Sequence, residues 1–168
     1  MDLAPIRVRL ARNRDTIRSL LEEVDEDRAR WRPDPGSWSI LEVVNHLHDE
    51  EREDFRRRID LTLHHPGEPW PAIDPVGWVT ARNYQARDLE ESVNRFLRER
   101  EVSLAWLAEL VDPDWNRAYD HPRAGPLRAG DLVVSWLGHD FLHLRQLSRL
   151  HFAYLRETGF STDYSGGW

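Results

Sequence analysis

Two histidines, His139 and His143, stand one helical turn apart in the run LVVSWLGHDFLHLRQLSRLHFAY, residues 132–154. At 3.6 residues per turn, Leu132, Trp136, His139, His143, Leu147, Leu150 and Tyr154 advance by three or four and fall on one stripe. The two imidazoles therefore take positions on an apolar face that leucine would ordinarily fill. A buried polar ring without a partner costs about 1–3 kcal/mol, so two such rings call for a shared partner in the core. An i, i+4 pair projects both rings from one side of the helix, within reach of a single metal ion at N–M distances of about 2.0–2.1 Å. The competing reading is a pair of core histidines, each hydrogen-bonded to backbone or water.

Composition limits what such a centre can be made of. The chain has no Cys and no Lys, and all 23 basic residues are Arg. A thiolate nucleophile, a disulfide, a Cys-ligated zinc, a Schiff-base lysine and a P-loop lysine are excluded. A metal must then be held by His nitrogen and carboxylate oxygen. The net charge of −7 disfavours binding to nucleic acid through phosphate neutralisation. No run approaches the roughly 20 apolar residues of a membrane span, and MDLAPIRVRL lacks a signal-peptide core, so a cytoplasmic protein is expected. A length of 168 residues fits one domain.

Four amphipathic helices must position the histidines. Ile6, Leu10, Ile17, Leu20, Leu21 and Val24 keep a three-four rhythm and predict a first helix over about 5–27, with Asn13 on its buried stripe in need of a partner. WRPDPGSW, residues 31–38, breaks the pattern. Ser39 and Glu42 then form a capping box that opens a second helix over about 40–63, with Ile40, Val44, Leu47, Phe55 and Ile59 on its core face. His46 and His48 flank that face on opposite sides, and periodicity does not choose between them. Glu50 and Glu53 lie on the His46 side, where a carboxylate could orient or supplement a ligand; His48, beside Arg52, reads as a surface residue.

Residues 64–87 carry four prolines and two tryptophans, enough chain to cross the length of a bundle. Asp88 and Glu91 mark the start of a third helix over about 89–111. Arg100 interrupts its apolar stripe and wants a buried carboxylate, for which Glu50 is a candidate. A second loop over 115–130 holds Tyr119, Asp120, His121 and Pro122, which could overhang a site. The histidine helix closes the fold over about 130–156, followed by a polar, Gly-rich tail that would fray or pack on a partner. His64, His65 and His151 read as surface residues. An all-α, single-domain four-helix bundle follows. A di-iron bundle of the ferritin type wants Glu-x-x-His pairs and more inward carboxylates than these stripes supply.

The motifs WSILEVVNHLHDEE, FLREREVSLAWLAEL, HP-x-x-G (His121, Pro122, Gly125) and W-x-x-HDFLH-x-RQ resemble those of the DinB-like superfamily, from Arg7 to Glu157. That resemblance implies an up-down-down-up bundle with a long crossover between helices 2 and 3, often dimeric, with one divalent metal on three histidines. Matched residue by residue, the first ligand falls on His46 and the last pair on His139 and His143. Relatives in that family include bacillithiol- and mycothiol-dependent transferases. The implied activity is a divalent-metal-dependent thiol S-transferase or related hydrolase acting on a small molecule. The metal would be nickel, zinc, iron or manganese, with a low-molecular-weight thiol as co-substrate in the transferase case. Glu50 is the candidate catalytic residue, and Trp136, Arg100 and His121 are candidate pocket residues. A non-catalytic metal-binding stress or interaction protein is the alternative.

Overall fold

The structure is a computed structural model that describes residues 1–166. Four long rods form it, supplemented by short elements in the connections. The first, α1 (Ala4–Leu21), starts with Pro5 in its first turn and buries Leu10, Asn13, Ile17 and Leu21. It stops short of the expected residue 27. The Asp25 carboxylate accepts the Arg28 N–H at 2.8 Å and starts a separate short helix, α2 (Glu26–Arg30), in a new direction.

The second rod is continuous but has three parts: α3 (Ile40–Glu50), a π-helical turn (Glu51–Phe55) and α4 (Arg56–His64). Its capping box is present as expected, with Ser39 N–H donating to Glu42 at 2.8 Å. A π turn adds a residue to the helical count and shifts the row that faces inward. Here it turns Glu51 into the core at 1% exposure.

The crossover that follows is partly helical, with α5 (Pro75–Ala81) capped by Asp74. The third rod, α6 (Leu89–Glu109), is capped by Asp88 and buries Phe96, Arg100 and Leu107. Within the second loop lies a hairpin of β1 (Ala118–His121) and β2 (Gly125–Arg128), paired from Ala118↔Arg128 to His121↔Gly125. Gly125 at φ +71° makes its left-handed turn residue. Strands this short have too little alternation to register against the loop residues around them. The fourth rod is α7 (Ala129–Tyr154).

Cross-links between rods fix their directions. Asn45 meets Ser92, Arg56 meets Ser103, and Ile59 packs with Leu107, so the second rod and α6 run parallel. His46 meets His139 whereas Phe55 meets Trp136, so the second rod and α7 are antiparallel. Asn13 reaches Asp140, Leu10 packs with Val133 and Ile17 with Leu147, so α1 and α7 are parallel. The order is up, down, down, up, and the long crossover is what allows two consecutive rods to point the same way.

Between two apolar clusters, one around Ile17, Leu47, Phe96 and Leu147 and one around Leu10, Ile59, Leu107 and Trp136, sits a charged layer. Arg100, at 0% exposure, is held by Glu51 at 2.7 and 2.9 Å and by Asp140 at 2.7 and 2.8 Å. Its guanidinium also donates to the Leu10 carbonyl at 3.0 Å. Trp136 Nε1 donates to Glu51 and Asn13 Nδ2 to Asp140, so every member has further support. The buried acid expected for Arg100 is thus Glu51 rather than Glu50, because the π turn moves Glu51 onto the inward row. Asp140 is a second acid that the stripe reading passed over.

Candidate metal centre

His46 comes from the first part of the second rod, and His139 and His143 come from the middle of α7. Their side chains meet above the charged layer. Nε2 of His139 lies 3.2 Å from Nε2 of His46 and 3.1 Å from Nε2 of His143. One nitrogen from each ring lies within 4.8 Å of the others. Two nitrogens each 2.1 Å from one ion would stand about 3.0 Å apart at a right angle and about 3.4 Å apart at the tetrahedral angle. The two separations from His139 fall between those limits.

The chemistry of the rings also fits a cation. Burial, with the neighbouring His143 adding to it, lowers the pKa of His46 to about 3. Burial and the other two rings lower that of His139 to about 2, and burial lowers His143 as well. All three are therefore neutral at pH 7, the form that ligates. Neutral rings turned nitrogen to nitrogen bring lone pairs together, an arrangement that a shared cation stabilises. His143 Nδ1 lies 2.8 Å from the Gln146 side-chain carbonyl, which accepts a hydrogen bond from Nδ1–H and so leaves Nε2 unprotonated. The described residues contribute three donors to the cluster, His46, His139 and His143.

Aromatic rings hold the cluster in place. Trp38, from the loop before α3, packs on His46 at 4.9 Å between centroids, and Phe55 packs on His139 at 5.1 Å. Phe55 in turn stacks on Trp136 at 5.8 Å and 3°. His46 and His143 are buried, while His139 is half-buried and carries the cluster towards the surface. The fully buried neighbour on α7 is Asp140, so the inward row of that helix runs Val133, Trp136, Asp140, His143, Leu147, with His139 at its edge. A cavity of about 540 Å3 is bounded by Trp38, Gln146, Arg149 and Leu150 among others; it reaches the two residues that touch the rings, and none of the three histidines lines it.

The other candidates fall elsewhere. Trp136 (1% exposed) and Arg100 (0%) are buried in the charged layer, bonded to Glu51 and, for Arg100, Asp140. Glu50 is outside the nitrogen cluster but one turn along from His46. Burial and the adjacent Asp54 carboxylate push its pKa up to about 8, and its Oε1 is buried with no partner. His121 is on the hairpin, where its Nδ1 accepts the Ala124 N–H at 3.1 Å. His48 is buried, not exposed as expected, because Arg95 of α6 reaches over to its Nε2 at 3.1 Å. His151 is half-buried against Arg28 at 2.6 Å, since α2 folds back onto that end of α7. His64 and His65 are exposed as expected. Trp38 and Gln146, which touch His46 and His143, carry no strong sequence signal. The only signals for them were the W-S-I block and a Gln three residues after His143.

The described residues include no helix long and apolar enough to cross a membrane. Comparison with known proteins agrees with the fold. The DinB superfamily pattern matches residues 9–147. A protein of Oceanobacillus iheyensis, named as a proposed metal-dependent hydrolase, is 26% identical over 120 residues. That alignment covers 68% of this chain and 66% of the relative, slightly less than two thirds of its length. Among solved structures, YfiT from Bacillus subtilis, described as an inferred metal-dependent hydrolase with an unusual four-helix bundle topology, superposes with a TM-score of 0.78. It shares 18% identity, over 94% of this chain and 87% of YfiT.

Proposed function

The chain belongs to the DinB superfamily, and from that premise we propose that it is a divalent-metal-dependent hydrolase whose ion rests on His46, His139 and His143. The observation that carries this reading is the convergence of three neutral rings, with Nε2 of His139 3.2 and 3.1 Å from Nε2 of His46 and His143, on the half-buried side of α7. Three nitrogen donors leave at least one position for water or substrate, which distinguishes catalytic from closed structural sites. A divalent cation there supplies Lewis acidity toward a substrate oxygen and acidifies a water or thiol proton. The relative named as a proposed metal-dependent hydrolase supports the same reading.

The chain's own groups do the rest. Gln146 fixes the tautomer and tilt of His143. Trp38 and Phe55 shield two of the rings from water, and half-buried His139 carries the cluster towards the surface, the side from which a small molecule would approach. Glu50 keeps a proton at neutral pH and is placed one turn from His46 to donate or take one during turnover. The test is hydrolysis of a panel of esters, amides and phosphoesters by protein loaded in turn with nickel, zinc, manganese or iron. No turnover above the metal-free protein would leave the non-catalytic, metal-binding alternative.

A thiol S-transferase reading rests on a narrower observation. A chain without cysteine must receive any thiol nucleophile from a co-substrate, and a divalent cation on the three rings would favour its thiolate form. Thiol-dependent consumption of an electrophile such as a chlorinated arene, with no hydrolysis, would favour it. We further propose that two copies pair through the outer face of α7, where Val134, Phe141 and Leu142 are 56%, 49% and 54% exposed.

A further inference from the structure

The crossover and the hairpin meet on α4 around a separate cavity of about 470 Å3. Trp70 of the crossover stacks on Tyr119 of β1 with centroids 4.2 Å apart and planes at 15°. Its backbone N–H donates to the Tyr119 hydroxyl at 3.4 Å. Arg58 of α4 lies 4.9 Å from the Trp70 ring centroid. Alternation along β1 puts Tyr119 and His121 on the half-buried side and Asp120 on the exposed side. Arg123, at the hairpin tip, completes the wall.

Apart from the Tyr119 hydroxyl, which accepts the Trp70 N–H, the free side-chain polar groups of this wall are donors. His121 Nδ1 accepts the N–H groups of Arg123 and Ala124 at 3.3 and 3.1 Å, so the proton of the neutral ring sits on Nε2. Trp70 Nε1 and Arg58 Nε are buried N–H groups with no partner. No carboxylate lines the cavity; Asp54, which pairs with Arg58 at 2.8 Å, faces it through that arginine. The exposed Arg123 guanidinium, the unpartnered Arg58 Nε–H and the unpartnered Trp70 Nε1–H call for an acceptor-rich ligand. Pro71, Ile73 and Pro122 offer it an apolar bed.

We propose that this cavity binds a small organic oxyanion, a carboxylate or phosphate monoester on an apolar body, independently of the metal centre. Arg58 stands twelve residues beyond His46 on the same rod, about 18 Å at 1.5 Å per residue, so the two sites are separate. The oxyanion takes the two arginines and the Trp70 Nε1–H, and its body rests on the proline-rich wall.

Isothermal titration of the full chain with phenyl phosphate, benzoate and benzyl alcohol tests this, on chelator-stripped protein and again on zinc-loaded protein. The expected result is saturable binding of at least one anion, unchanged by zinc, with no saturation by benzyl alcohol. Whichever anion binds more tightly identifies phosphate or carboxylate as the preferred group. Arg123→Ala and Trp70→Phe should each weaken binding about tenfold, with unchanged circular dichroism and zinc content. No saturable binding of either anion, equal binding of benzyl alcohol, or full affinity in both variants overturns the proposal. Because the readout is taken on metal-free protein, its failure leaves the hydrolase reading untouched, and the reverse holds.

Discussion

Replacing Arg100 by methionine tests whether the charged layer beneath the histidines holds the bundle together. In the native chain, Glu51 and Asp140 are 1% and 0% exposed, and both face the one guanidinium. Methionine fills similar volume but leaves two carboxylates buried without their cation. Removing one partner of a buried pair costs about 3–5 kcal/mol. Here two acids lose the same partner, so the effect should lie at or above the top of that range, against a total stability of about 5–15 kcal/mol. For a domain of this size, a loss of 3–5 kcal/mol lowers the melting temperature by about 6–20 °C. Thermal and urea unfolding followed by circular dichroism at pH 7 measures it. The triple variant Arg100→Met/Glu51→Gln/Asp140→Asn removes the stranded charges together and should recover most of the loss, since neutral amides can still receive Trp136 and Asn13. If Arg100→Met alone costs less than about 1 kcal/mol on the same scale, the layer does not carry the load assigned to it.

Gln146→Leu removes the acceptor that fixes the His143 tautomer and should weaken metal binding about 10–100-fold with the melting temperature of the metal-free protein nearly unchanged; competition with a calibrated chelator reads it. Glu50→Gln changes the pH dependence of stability. The folded pKa of about 8 lies above the ordinary 4.5, so Glu50 stabilises the fold fully below pH 4.5 and loses that contribution as pH rises through 8. Urea midpoints of the metal-free wild type should fall between pH 5 and 8 relative to those of Glu50→Gln, and parallel profiles would contradict the burial argument. Sedimentation velocity should show a dimer that Phe141→Arg/Leu142→Arg converts to monomer, and a monomeric wild type would remove the proposed α7 interface.

The legible part of the fold was what apolar periodicity and capping encode. Four rods, the Ser39–Glu42 box and the Asp88 cap are all local signals, and Asn13 announced itself as a polar residue on a buried stripe that needed a partner. Arg100 did the same for a buried acid, but the acid itself was not local. A π turn at Glu51–Phe55 has no periodic signature in a run as charged as EREDFRRR, and it sets Glu51 rather than Glu50, which is also buried, against Arg100. The restart at Asp25 and the hairpin were hidden for a related reason: each depends on a short cap or turn inside a sequence whose wider pattern reads as helix end or loop. At the centre, His139 and His143 were readable from i, i+4 spacing, whereas His46 needed the family register to separate it from His48. Arg95, 47 residues further along the chain on another rod, is what makes His48 a buried residue.

We propose that three imidazoles from two antiparallel rods hold one cation. Metal analysis of untagged protein, after equilibration with zinc or nickel and gel filtration, tests it directly. One equivalent per chain in the wild type is expected, with none in His139→Ala/His143→Ala and a strongly reduced amount in His46→Ala, all three folded by circular dichroism. A wild type that emerges without metal, or a double variant that keeps its full equivalent, would contradict the account.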